Sequence, residues 1–251
     1  IEGVGFKIAD DIASKVGIKV DSDFRIKSGI FYVLCQAAGQ GHVYLPMEKL
    51  EEHVKSLLLI DFKNMEKYVM DLAVERKIVV KQKDGHNNVY AAQYYYMEAS
   101  SARMLCDLDI QYSCDEAELD AAITKIEQGL DIELDEIQRE AVKKSVRNGL
   151  VVITGGPGTG KTTTINTIIR YFQMEGMDIR LAAPTGRAAK RMTETCGVEA
   201  QTIHRLLEVS GAPEEDKARS SAGTRFDRNE ENPLETDVII VDEMSMVDIS
   251  I

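Results

Sequence analysis

The sequence predicts an α+β amino-terminal region followed by an α/β domain, and three observations carry that reading. Between residues 25 and 98, apolar residues first recur at helical spacing and then form two short runs joined by a polar turn. After Leu150 short apolar runs alternate with helices, the pattern of a sheet covered by helices. Where the pattern changes, a glycine-rich loop stands between an apolar run and a helix. With 251 residues, 44% hydrophobic and 29% charged, the chain can build real cores, which excludes global disorder.

The amino-terminal elements follow in order. Ile1-Glu2-Gly3-Val4-Gly5-Phe6 places two glycines two apart, and Phe6, Ile8, Ile12 and Val16 can line one side of a helix ending near Gly17. This is similar to the hairpin and second helix of a helix-hairpin-helix unit, with an ordinary capped helix as the alternative; it defines a segment over 1–24. Helices are expected over Arg25–Ala38, Met47–Leu58 (with Pro46 near its first position) and Phe62–Lys77. A hairpin then joins Ile78–Val80 to Val89–Met97 through Asp84-Gly85-His86-Asn87-Asn88. Helices followed by a hairpin suggest a winged-helix-like region over 25–98. Its charge is near zero, which favours a protein partner over direct DNA contact. Tyr94-Tyr95-Tyr96 could stack on bases, but alternate strand positions favour core packing.

Residues 99–133 form an acidic helical connector, with helices over Ala99–Leu105 and Asp115–Gln128. The second domain spans 134–251 and opens with a helix at Asp135–Arg147, closed by Asn148-Gly149. A polar stretch from about Ser210 to Glu235 reads as a mobile loop.

Charge is unevenly spread. The total is −12, yet residues 141–210 carry ten basic and five acidic residues, while 101–140 carry three and twelve. The basic stretch leaves room for a polyanion beside an acidic total. No apolar run approaches 18 residues, so no membrane partner is expected. Cys35, Cys106, Cys114 and Cys196 show no C-x-x-C spacing, which predicts reduced thiols in the cytoplasm rather than zinc or disulfides.

The chemistry sits after residue 150. Leu150-Val151-Val152-Ile153 reads as a buried strand leading into Gly155-Gly156-Pro157-Gly158-Thr159-Gly160-Lys161-Thr162, a complete G-x-x-x-x-G-K-[ST] pattern. Glycines let backbone N–H groups turn inward around a phosphate, and the following helix aims its positive end at the same anion. Lys161 would reach the β- and γ-phosphates and Thr162 would hold Mg²⁺. Residues 238–243, Val-Ile-Ile-Val-Asp-Glu, read as a strand with an acidic pair at its carboxyl end: Asp242 to complete the Mg²⁺ shell, Glu243 to activate water. Together the two motifs point to nucleoside-triphosphate hydrolysis. Between them, a strand ends at Pro184, and Thr185-Gly186 open a helix bearing Arg187, Lys190 and Arg191, suited to nucleic-acid phosphates. Thr202 and His204 form a weaker group; His204 is either structural or a strand contact.

The set Gly155–Thr164, Ala182–Ala189, Thr202–Leu206 and Val241–Val247 resembles the RecD-like DNA helicases of superfamily 1 (exodeoxyribonuclease V alpha-subunit-like). Gln138 matches that family's adenine-recognising glutamine. The first segment and Gly41–Pro46 are similar to the longer, stand-alone branch. The resemblance implies an incomplete RecA-like P-loop NTPase domain and an ATP-driven, 5′-to-3′ translocase of recombination and repair. It implies ATP and Mg²⁺ as cofactors, with Gln138, Gly156, Pro157, Gly158, Thr159, Gly160, Lys161, Thr162 and Thr163 around the nucleotide. It also implies single-stranded DNA and DNA junctions as partners, with Pro184, Thr185, Gly186, Arg187, Thr202 and His204 on the strand.

The chain opens on Ile1, and nine residues follow Asp242. The expectation is therefore a fragment whose second motor lobe and arginine finger lie elsewhere, and which cannot unwind DNA alone. Two other functions fit the same motifs: a non-catalytic binding module whose loop senses ATP, and a related RNA helicase.

Overall fold

A computed structural model describes residues 6–156, 158–208 and 226–251. The chain divides into two compact units, residues 1–103 and 104–251. The two glycines of the opening hairpin, Gly3 and Gly5, lie outside the described residues.

In the first unit, α1 (Phe6–Lys15) precedes α2 (Asp23–Ala38), β1 (Tyr44–Pro46), α3 (Met47–Leu58), α4 (Met65–Val74), and the hairpin β2 (Ile78–Lys83) and β3 (His86–Ala91). Helix α2 starts where the Ser22 side chain accepts from the Arg25 N–H, and its buried stripe Ile26, Ile30, Val33, Leu34 and Ala37 faces α3, α4 and the sheet. Helix α3 contributes Leu50, Val54 and Leu58 to the same core, and α4 contributes Met65, Tyr68, Val69 and Leu72. The sheet is antiparallel in the order β1-β3-β2. Leu45, Ile78, Val80, Val89 and Ala91 share its inner face, while Tyr44, Tyr90, Val79 and Lys81 share the outer one.

The structure adds to these expectations and corrects some of them. The hairpin turn is the two residues Asp84 (φ 53°) and Gly85 (φ 81°), both left-handed, so β2 and β3 run closer to the tip than the sequence suggested. Strand β1 was not foreseen; three residues carry no periodicity. Pro46, expected near the first position of this helix, is the N-cap of α3, with ψ 144°. Finally, the hairpin's second strand stops at Ala91. The Ala92 N–H donates to the Lys77 carbonyl and a continuous helix, α5 (Ala92–Leu108), begins, so Tyr94–Tyr96 are helical. Three consecutive tyrosines do not alternate, which is why a strand suited them poorly.

In the second unit, α6 (Glu116–Leu130), α7 (Glu136–Arg147) and α8 (Lys161–Met174) pack through Leu119, Ile123, Leu134, Val142, Ile168 and Phe172. Arg139 ties α7 to α6, pairing with Glu127 and donating to Thr124 Oγ1 at 2.8 Å. A parallel sheet follows in the order β5 (Ala200–Thr202), β4 (Ile179–Ala183), β6 (Val238–Val241). Helices α8 and α9 (Gly186–Cys196) cover one face through Ile169, Leu181 and Met192. On the other face, Ala182 packs with Ile203 and Leu206 of the short α10 (Ile203–Leu206) and with Leu234.

The expected strand at 150–153 forms no ladder among the described residues. Val152 is 78% exposed, and only Ile153 reaches the core. The stretch before it is held elsewhere: the Gly149 N–H donates to the Ile110 carbonyl at 2.7 Å, and the Tyr112 N–H donates to the Arg147 carbonyl at 2.6 Å. A side chain at 149 has no room, because a Cβ would stand 2.0 Å from the Leu108 carbonyl oxygen. The expected loop over 210–235 lies outside the described residues up to 225. Its described end is tethered, with Arg228 paired to Glu208 at 3.0 Å and Leu234 packed against the sheet.

Candidate functional site

The parallel sheet sets the site's frame. Only four residues separate α8 from β4, so the carboxyl end of α8 lies at the amino edge of the sheet and its amino end is directed toward the carboxyl edge. Ala183, Thr202 and Val241 end their strands at that carboxyl edge. In open α/β sheets this edge is where ligands bind.

The loop of residues 155–160 opens α8. Gly158 (φ 79°) and Gly160 (φ 74°) occupy left-handed backbone that side chains rarely adopt, and Gly160 is the N-cap of α8. The Lys161 ammonium donates to the Gly156 carbonyl at 2.9 Å and also to the Gly155 carbonyl. Thr159 Oγ1 donates to the Gly156 carbonyl at 3.0 Å. The Lys161 ammonium and the Thr159 hydroxyl thus meet at the Gly156 carbonyl. Thr162 is exposed, and no hydrogen bond of its hydroxyl occurs among the described residues. Thr163 gives its carbonyl to Thr167 Oγ1 at 3.0 Å. Pro157 lies outside the described residues.

Gln138 is held at both ends of its side-chain amide. Asp135 caps α7 by accepting from the Gln138 N–H at 2.8 Å, and Gln138 Oε1 accepts from the Asp135 N–H at 3.0 Å, a reciprocal capping box. The other end of the amide, Nε2, donates to the Thr159 carbonyl at 3.2 Å. One side chain therefore joins the start of α7 to the phosphate loop. The sequence reading missed Asp135; its D-x-x-Q spacing was the available signal.

Asp242 follows β6, and its N–H donates to the Ala182 carbonyl at 3.0 Å, extending the ladder by one bond. Its Oδ1 accepts from the Glu243 N–H at 2.9 Å. Glu243 is exposed and holds φ 53°, a left-handed conformation that costs a non-glycine residue about 1–2 kcal/mol. A 3₁₀ turn over Met244–Met246 follows, closed by the Met246 N–H on the Glu243 carbonyl. Cys196 at the end of α9 is half-buried. Burial pushes its thiol up, a hydrogen bond with Thr195 opposes this, and the Asp242 carboxylate adds a smaller rise.

The expected strand-contact residues sit at the same edge with their hydroxyls committed. Thr185 Oγ1 accepts from the Ala188 N–H at 3.2 Å, capping α9, and Thr202 Oγ1 accepts from the Arg205 N–H at 3.2 Å, capping α10. Gly186 and Arg187 are exposed and Pro184 is half-buried. The His204 ring lies 5.9 Å from that of Phe226 and has a packing partner there.

Hard oxygen donors suit Mg²⁺, and the Thr162 hydroxyl and the second Asp242 carboxylate oxygen have that character. Among the described residues no group of three or more His, Cys, Asp or Glu gathers as a metal cage. A hydroxyl and one carboxylate, completed by phosphate oxygens and water, fit this donor set.

Comparison with known proteins gives two family matches: the AAA domain over residues 138–251, and the ATP-dependent RecD2 DNA helicase HHH domain over residues 1–44. The chain is 30% identical over 260 residues to the ATP-dependent RecD2 DNA helicase of Deinococcus radiodurans, covering 98% of this chain and 34% of that protein. The two matches and this relative together support a RecD-like helicase. The chain is also similar to the RecBCD enzyme subunit RecD of Mycolicibacterium smegmatis, 37% identical over 138 residues, with 46% of this chain and 23% of that subunit covered. The subunit from Haemophilus influenzae is 35% identical over 137 residues, covering 45% and 20%. This RecD-like chain therefore spans about a third of the first relative and about a fifth of the other two. The helical first segment and the α/β second unit agree with the fold class read from the sequence.

Proposed function

We propose that this chain is part of an ATP-dependent DNA helicase of recombination and repair, comprising amino-terminal modules and a portion of the first motor lobe. The organisation into segments 1–24, 25–98, 99–133 and 134–251 belongs to the same proposal. The observation that carries it is the phosphate loop closed on the Lys161 ammonium at the head of α8, with Asp242 and Glu243 at the carboxyl edge of the same sheet. In this reading Lys161 exchanges its loop carbonyls for the β- and γ-phosphate oxygens of ATP. The backbone N–H groups of Gly158, Thr159 and Gly160 enclose the β-phosphate, and the amino end of α8 adds its positive dipole. Gln138 reads the adenine edge, exchanging its bond to Thr159 for the base. Mg²⁺ held by Thr162 and Asp242 supplies charge neutralisation to the triphosphate. The Glu243 carboxylate orients the attacking water and takes its proton.

The exposed start of α9, with Gly186 and Arg187, and the turn at Thr202–His204 form the track for single-stranded DNA. Pro184 and Thr185 shape that track through the chain turn and the helix cap. Movement is 5′-to-3′ and the protein works in the cytoplasm, as the family resemblance implies. Single-turnover ATP hydrolysis, with and without single-stranded DNA, tests the motor. DNA-stimulated hydrolysis that falls about 10²–10⁴-fold in Glu243→Gln, with ATP binding retained, is expected. ATP binding without hydrolysis would instead favour the ATP-sensing module, and stimulation by RNA alone would favour the RNA helicase.

Translocation needs two lobes that close on ATP and reopen after hydrolysis. These 251 residues hold at most one incomplete lobe and match 34% of the Deinococcus relative, so no strand separation is expected from them alone on a forked duplex. Unwinding by this chain would overturn that part of the proposal.

A further inference from the structure

The first unit carries an aromatic row that the motor does not use. Tyr44 and Tyr90 are cross-strand partners on the outer face of the antiparallel sheet, their ring centroids 5.1 Å apart. Tyr95, on the first turn of α5, meets Tyr90 edge-on at 5.3 Å, and Tyr96 meets Tyr95 at 5.4 Å. Four tyrosines thus stand in one continuous row. Its ends are the open members: Tyr96 is 65% exposed and Tyr44 38% exposed. Tyr94, by contrast, packs against the core, so only part of the tyrosine triplet serves the interior.

Cations flank the row. The Lys81 ammonium lies 5.1 Å from the centre of the Tyr95 ring. Strand alternation puts Lys83 and His86, themselves cross-strand partners, on the same outer face. One carboxylate, that of Glu98, faces the row from α5; burial first and then this charge push the Tyr90 phenol up.

We propose that this tyrosine row is a second binding surface for single-stranded nucleic acid, on which unpaired bases stack while Lys81 and Lys83 neutralise the backbone. Base stacking needs one open ring face and tolerates any base. The two end rings offer such faces. A proline-rich peptide instead needs slots between separated rings. Here successive rings touch, two of the three contacts at 73–77° between ring planes, which leaves no slot. The inference rests on the proposed reading that the protein works on single strands, but it needs neither ATP nor the phosphate loop.

The chain has nine tyrosines and no tryptophan, so its intrinsic emission reports on tyrosine directly. The test titrates the 251-residue chain, without nucleotide, with a 20-mer of thymidylate and with an abasic 20-mer of equal charge. Saturable quenching by the thymidylate strand and weaker binding of the abasic strand are expected. Tyr44→Ala with Tyr96→Ala should weaken thymidylate binding about tenfold and remove the difference between the two strands. Tyr96→Phe, which keeps the ring, should stay within about twofold of the parent. Circular dichroism checks folding; if the double variant unfolds, Tyr96→Ala alone, at the most exposed ring, gives the reading.

Equal binding of the two strands by the parent, or no loss in the alanine variants, overturns the proposal. Binding of a proline-rich peptide with no response to thymidylate also overturns it, in favour of a protein partner. A chain that hydrolyses ATP but shows no quenching loses this inference alone. One that stacks bases but never hydrolyses ATP loses the motor reading instead.

Discussion

At Gly160 two demands meet in one residue. Its φ of 74° lies where an L side chain is strained, and a Cβ there would stand 2.2 Å from Gln138 Nε2. The amide is the end of a flexible side chain and can retreat, but retreat breaks its bond to the Thr159 carbonyl and loosens the capping box on α7. The backbone strain has no such escape. Gly160→Ala is therefore expected to lower stability by about 1–2 kcal/mol. It should also weaken ATP binding, through a loop that no longer holds its shape. Chemical denaturation and nucleotide titration of the same variant check both effects; an alanine variant as stable as the parent would show that the loop relaxes freely. The glycine itself was legible, because G-x-x-x-x-G-K-[ST] demands it. The bond from Gln138 was not, since it joins residues 21 apart in sequence that only the packing of α7 on α8 brings together.

At the scale of elements, the anchoring of α1 shows how charge replaces a buried face. Ile8 and Val16 are 59% and 73% exposed, so the side of the helix they were expected to line does little burying. Phe6 does pack, its ring 4.9 Å from that of Tyr32. The second tether is Arg25, whose guanidinium takes both Asp10 oxygens and also donates to the Val20 and Leu58 carbonyls. The hydrogen bond to Arg25 holds the Asp10 carboxyl below its ordinary value, in excess of the opposing effect of burial. A folded-state pKa lowered in this way adds stability above the ordinary carboxylate pKa of about 4, and loses it as pH falls through the lowered value. Amide signals of α1 should therefore be stable from pH 8 to about 5 and shift toward disorder below about 4. In Asp10→Asn that pH dependence should vanish, and NMR titration of the two chains decides it. Helix α1 was legible from Phe6, Ile12 and Gly17, but this tether was not, because a lone aspartate and a lone arginine 15 residues apart carry no periodic signal. The run at 150–153 taught the opposite lesson. Four apolar residues suit a buried strand, yet a strand exists only where an edge pairs with it, and sequence alone does not supply the edge.

Across the whole molecule, the cores are separate. The core of the first unit draws on residues from Phe6 to Tyr94 and the cores of the second on residues from Cys114 onward; among the described residues none belongs to both. All the phosphate-loop and acidic-pair residues fall in the second unit, whereas the tyrosine row falls in the first. A ligand stabilises the elements whose folded arrangement it needs, by about 2.7 kcal/mol at a hundredfold excess over its Kd. A non-hydrolysable ATP analogue with Mg²⁺ should accordingly slow hydrogen exchange in α8, β4 and β6, and leave α2–α4 and the antiparallel sheet near their ligand-free rates. Thymidylate should slow exchange around Tyr44, Tyr90 and the start of α5 if the row binds bases, beside any protection it gives the start of α9, since the contact with the row needs no nucleotide. Lys161→Ala should abolish the first response without touching the second, because among the described residues its ammonium bonds to the loop carbonyls of its own unit. Equal protection of Leu50, Val54 and Leu72 by the ATP analogue would show that nucleotide binding acts on both cores, against the division of labour argued from their composition.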